Sequence, residues 1–115
     1  MNQAPIPTIL TIDDEPLIRR SFRLYLEDLE YRVLEAESGH KGLELTATEQ
    51  PNLILLDLRM PEIDGLQTLS LLREKHPEIP VIVISGTGEI RDVVEALRGG
   101  AWDYLTKPIT NMTVL

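Results

Sequence analysis

Two uninterrupted apolar runs, Leu53-Ile54-Leu55-Leu56 leading into Asp57 and Val81-Ile82-Val83-Ile84 leading into Ser85, constrain this chain more than any other feature. A strand with one solvated face alternates apolar and polar residues. One without alternation is covered on both faces, as in a parallel sheet flanked by helices. Three weaker segments fit the same scheme. Thr8 to Ile12 is a β-rich run ending in Asp13-Asp14, and Asp103 to Thr106 leads into Lys107. Arg32 to Ala36 is more polar and is predicted at a sheet edge.

Helical spacing recurs between these segments. Pro16 suits a first helical position, and Ile18, Phe22, Tyr25 and Leu29 follow on one face. Gly39 to Gln50 is predicted as a second helix with Leu43 and Ala47 on one face. Leu66, Leu69 and Leu72 mark a third after the turn at Asp64-Gly65, and Ile90, Val93, Val94 and Leu97 a fourth. Gly99-Gly100 is expected to end that helix by accepting left-handed backbone. Strands alternating with helices give an α/β fold, a doubly wound five-stranded parallel sheet.

The 115 residues make one domain, with its core over about residues 8–109. Residues 110–115 would begin a fifth helix, too short against a typical length of about 10–14 residues. A truncated fifth helix would leave one sheet face without cover, so reduced stability or compensating self-association, as a homodimer, is expected.

Charge and cysteine content narrow the function classes. Eleven basic against nineteen acidic residues give a net charge of -8, which repels a phosphate backbone and disfavours direct nucleic-acid binding. With no cysteine, disulfides and thiolate metal sites are excluded. No stretch approaches the roughly 20 apolar residues that span a bilayer. Met1 to Pro7 lacks the pattern of a signal peptide, so a cytoplasmic location is expected.

Ligands of an open parallel sheet bind beyond the carboxyl ends of its strands. Those ends here carry Asp13-Asp14, Glu37-Ser38, Asp57, Ser85 and Lys107. Three clustered carboxylates repel one another unless a cation relieves them, and an all-oxygen donor set suits Mg2+, with Mn2+ as a substitute. A carboxylate can also be a nucleophile that forms an aspartyl-phosphate, with a hydroxyl and an ammonium receiving the phosphoryl oxygens. Taken singly, each residue has a plainer explanation. The Asp pair could cap a helix, Asp57 could start a turn, Lys107 could be a surface lysine, and Ser85-Gly86 an ordinary loop. Their joint placement at four strand ends is what gives them weight.

Thr11-Ile12-Asp13-Asp14-Glu15, Asp57 through Met60-Pro61 to Asp64-Gly65, Val83-Ile84-Ser85-Gly86 and Gly100 through Lys107-Pro108 together resemble the signature of response-regulator receiver domains. The resemblance runs from about Thr8 to Ile109. It implies a flavodoxin-like sheet of order 2-1-3-4-5 and a phosphoryl group passed from the histidine of a histidine kinase or phosphotransfer protein to Asp57. It further implies Mg2+ held by Asp14, Asp57 and the backbone carbonyl of Arg59, with Asp13 acting largely through water. Ser85 and Lys107 would contact the phosphoryl group, the Lys107-Pro108 bond would be cis, and no organic cofactor is expected. Ser85 and Tyr104 would form the switch that remodels the surface of the fourth helix, fifth strand and fifth helix for an output domain or protein partner.

Several positions are individual. Ser85 stands where many members have threonine, Gly86 leaves the approach open, and Arg59 is a long cation two residues past Asp57 that could tune phosphate lifetime or simply be solvated. Trp102 could pack locally or join a partner surface. His40 and His76 lie on predicted helix surfaces and are assigned no chemistry; Asp64 is assigned to its turn. Two other functions compete. A Mg2+-dependent phosphatase commonly needs an Asp two residues after the nucleophile, where this chain has Arg59, so a phosphoacceptor switch is favoured over an enzyme. A receiver-like interaction module that works without phosphorylation is the second alternative, disfavoured because the key side-chain types are all present.

Overall fold

Each apolar run forms a strand where it is expected, in a computed structural model that describes residues 6–58, 65–85 and 90–106. The strands are β1 (Thr8–Ile12), β2 (Arg32–Ala36), β3 (Leu53–Asp57), β4 (Val81–Ser85) and β5 (Asp103–Thr106). The helices are α1 (Pro16–Asp28), α2 (Gly39–Glu49), α3 (Gly65–Lys75) and α4 (Ile90–Arg98). All strand pairs are parallel, in the order β2-β1-β3-β4-β5, a doubly wound flavodoxin-like sheet. The polar β2 is an edge strand. Residues 110–115, where a fifth helix is expected to begin, lie outside the described residues.

Alternate residues of each strand serve opposite faces. Leu10, Ile12, Ile54, Leu56, Val81 and Val83 join Leu69 and Leu72 of α3 and Ala96 of α4 in one buried layer. Ile9, Leu55 and Ile84 meet Phe22 and Leu26 of α1 in the other. Burying each such side chain stabilises the fold by about 1.5–3 kcal/mol. Beside α1, on the second face, a groove of about 330 Å³ is lined by Ile9, Tyr25, Leu29, Leu53, Leu55 and Ile82.

The helices correct the sequence expectation in three places. In α1, Leu29 is the exposed C-cap rather than part of the buried stripe, and Leu26 takes that place. In α2, Gly39, Gly42 and Thr46 are buried and Ala47 is exposed. Close approach causes this: a Cβ on Gly42 would lie 2.4 Å from Ile12 Cδ1. Thr46 tolerates burial because its hydroxyl donates to the Gly42 carbonyl at 2.7 Å. In α4, Ala96 is buried while Val94 and Leu97 are exposed. Of the two glycines after α4, Gly100 takes the left-handed conformation, with φ at 100°. Its missing side chain also makes room for Arg73, whose Nε would lie 2.8 Å from a Cβ there.

Candidate functional site

The chain crosses from β1 to β2 on one side and from β3 to β4 on the other, so the winding direction reverses between β1 and β3. Their register sets Ile12 beside Leu56, and the next residues are Asp13 and Asp57. Two carboxylates therefore emerge side by side in the crevice where such sheets bind ligands.

Both are held rigidly. Asp57 ends β3 at 2% exposure, and the N–H of Leu58 beyond it donates to the Ile84 carbonyl at 3.0 Å, extending the β3–β4 pairing past the carboxylate. Asp13 is equally buried; its N–H donates to the Ala36 carbonyl of β2 at 3.0 Å, and its Oδ1 accepts from the Glu15 N–H at 2.9 Å. The Asp pair does not cap α1. Glu15 is the N-cap residue, and its side chain makes no cap bond. Pro16 at the first position has no N–H to satisfy, and Asp14 and Glu15 just before it are exposed.

Carboxylate oxygens of Asp13, Asp14, Glu15 and Asp57 all lie within 4.8 Å of one another. Sequence reasoning assigned no role to Glu15, although it directly follows the Asp pair. Four carboxylates at such spacing, two buried and two open to solvent, form an all-oxygen donor set that fits a hard divalent cation and leaves room for water.

The first residue of α3 packs against the backbone that carries Asp57 and Leu58. A Cβ on Gly65 would lie 2.2 Å from Leu58 Cα and 2.5 Å from the Asp57 carbonyl oxygen. Gly65 N–H also donates to the Leu58 carbonyl at 3.0 Å. Close approach to the backbone under Asp57, rather than a left-handed turn, is why glycine stands there.

Other expected site residues are placed in part. Ser85 ends β4 one residue beyond Ile84, the register partner of Asp57, and pairs with Thr106 of β5. Its hydroxyl, Arg59, Lys107 and the Lys107-Pro108 bond lie outside the described residues. Tyr104 is half-buried on β5 against the layer under α3 and α4. Trp102 is 73% exposed, its backbone N–H bonded to the Val81 carbonyl at 2.8 Å. His40 is exposed and His76 half-buried, and neither joins the acidic group.

Comparison with known proteins agrees with this arrangement. Residues 9–115 match the family model described as response regulator receiver domain. The chain belongs to the response regulator receiver domain family. As a receiver it is 40% identical over 107 residues to the transcriptional regulatory protein SrrA of Staphylococcus aureus, covering 93% of this chain and 44% of SrrA. The receiver thus spans less than half the length of that relative. Among solved structures it resembles a CheY-like receiver from Methanospirillum hungatei (TM-score 0.90, 28% identity, 96% of this chain and 88% of that one). It also resembles a response regulator from Burkholderia pseudomallei whose structure holds a phosphorylated aspartic acid, a calcium ion and citrate (TM-score 0.87, 28% identity, 94% of this chain and 64% of that one). Receivers of this family serve two-component signalling, and no helix among the described residues is long and apolar enough to cross a membrane.

Proposed function

We propose that Asp57 is the phosphoacceptor of this receiver and that Asp13, Asp14 and Asp57, with Glu15 beside them, hold Mg2+. The observation that carries this is the meeting of four carboxylates around a buried strand-end aspartate at the switch point. The phosphorylated aspartic acid and calcium ion in the Burkholderia relative support it. Bound Mg2+ would offset the charge of the carboxylates and of the incoming phosphoryl oxygens.

The residues divide the remaining work. A carboxylate oxygen of Asp57 attacks phosphorus in the phosphohistidine of a kinase or phosphotransfer protein. The new O–P bond forms as the P–N bond breaks, and the electron pair leaves with the histidine nitrogen. The hydroxyl of Ser85 and the ammonium of Lys107 are assigned the phosphoryl oxygens, and the Arg59 carbonyl a place at the cation, by their match to the family motif. Ser85 and Tyr104 act as the switch. Tyr104 is half-buried on β5, packed against the core layer next to the strand that ends in Ser85.

The reader of the switch is assigned to the surface of α4 and β5, where Val94, Leu97 and Trp102 are exposed. An output domain, a partner protein or a second copy would dock there. At a net charge of -8 the domain itself does not bind nucleic acid. It acts as a cytoplasmic switch, not as an enzyme with turnover.

Incubating the chain with a small phosphodonor and Mg2+ and measuring intact mass tests the assignment. A single phosphoryl adduct on wild type, absent from Asp57→Asn and from samples with chelator, is expected. No adduct on wild type, or an undiminished one on Asp57→Asn, refutes it. Sustained hydrolysis of phosphate monoesters would favour the phosphatase instead.

A further inference from the structure

The turn that carries Asp13 and Asp14 is fastened to β2 twice. The first link is the Asp13 N–H on the Ala36 carbonyl at 3.0 Å. The second runs through a side chain: Arg19 of α1 donates from Nη1 to the Asp13 carbonyl at 2.6 Å and from Nε to Glu35 Oε1 of β2 at 3.1 Å. Glu35 is braced in turn, since its Oε2 accepts from Arg23 Nη1, while Arg23 Nη2 donates to the Val33 carbonyl at 3.1 Å. The Arg19 side chain is only 14% exposed and Glu35 25%.

We infer that Arg19 is a positioning residue of the cation site, which orients the peptide between Asp13 and Asp14 by gripping the Asp13 carbonyl, with Glu35 as its brace. This rests on the cation reading above. A guanidinium fork can bond two acceptors in a fixed geometry, which an ammonium cannot. The peptide it grips joins a buried carboxylate to an exposed one, so its rotation would swing the two apart. Glu35 has a second effect: it offsets the guanidinium charge that would otherwise oppose a cation nearby.

The sign of the effect separates positioning from simple charge. Deleting a positive charge near a cation site should tighten cation binding by Coulomb's law. Loss of positioning should weaken it, and residues that orient metal ligands typically contribute roughly 10–100-fold to affinity. The experiment is calorimetric titration of Mg2+ into the unphosphorylated full chain, with urea midpoints measured on the same samples. Arg19→Ala is expected to raise the Mg2+ Kd about tenfold or more. Arg19→Lys should recover part of the loss, and Glu35→Gln should weaken binding in the same direction. Arg32→Ala is the control, since it removes an exposed ion pair to Glu49 on the same edge strand without touching the turn. Its Kd should stay at the wild-type value.

An Arg19→Ala variant that binds Mg2+ as well as wild type, or better, overturns the inference. So does a loss of equal size in Arg32→Ala. Should Arg19→Ala not fold, a wild-type Kd in Glu35→Gln overturns it. Absence of Mg2+ binding by wild type would instead remove the cation reading, and this inference with it.

Discussion

Replacing Gly65 by alanine tests how closely the first turn of α3 must approach the phosphoacceptor strand. The new Cβ would stand 2.2 Å from Leu58 Cα, 2.5 Å from the Asp57 carbonyl oxygen and 2.7 Å from the Leu58 carbonyl carbon. All three are backbone atoms at the end of a buried strand, so no rotamer relieves the overlap. Either α3 retreats or the end of β3 is displaced, and the 3.0 Å bond from Gly65 N–H to the Leu58 carbonyl stretches with it. Overpacking costs about 1–3 kcal/mol and a weakened hydrogen bond about 0.5–1.5. Alanine's better helix propensity returns at most about 1 kcal/mol. A net loss of about 2 kcal/mol is expected, read as a lower urea midpoint at unchanged m-value. Because the movement falls on the backbone of Asp57, phosphoryl uptake should fall under conditions where the variant is still folded. A Gly65→Ala protein with wild-type stability and wild-type phosphorylation would refute the argument from close approach.

Other expectations follow from single features. Leu56→Ala, at 0% exposure in the layer under α2 to α4, should cost about 2–5 kcal/mol in urea unfolding. Gln50→Gly should raise stability by about 0.5–1 kcal/mol, because Gln50 caps α2 with φ at 47°, a conformation that glycine adopts without a Cβ clash. Mg2+ at a hundred times its Kd should stabilise wild type by about 2.7 kcal/mol, and Asp57→Asn should lose much of that gain. Arg32→Ala should change the unfolding free energy by less than about 1 kcal/mol, since its pair with Glu49 is exposed to solvent.

Much of this receiver is legible in its sequence because the signals are local or periodic. Unalternated runs at 53–56 and 81–84 announce strands covered on both sides, and the polar character of Arg32 to Ala36 announces an edge. The strand ends name Asp13, Asp14 and Asp57 before any geometry is known, since a parallel sheet brings all carboxyl ends to one side. Periodicity misleads where packing distance rather than hydrophobicity chooses the face. In α2 the buried positions include Gly42 and Thr46, because a helix that lies closely on Ile12 needs a missing side chain and a hydroxyl that can bond back to its own helix.

Tertiary structure alone decided the rest. Glu15 belongs to the acidic group because the turn between β1 and α1 brings its carboxylate within 4.8 Å of those of Asp13, Asp14 and Asp57. Gly65 reads in sequence as a turn residue and proves to be a clearance for the strand beneath it. The link from Arg19 to Asp13 and Glu35 joins a helix to a turn six residues before it and to an edge strand sixteen residues after it. A sequence declares which groups are available and which segments hide from water, because those follow from composition and period. Which polar groups meet depends on where separate elements come to rest, and that is settled only when the whole sheet and its helices pack.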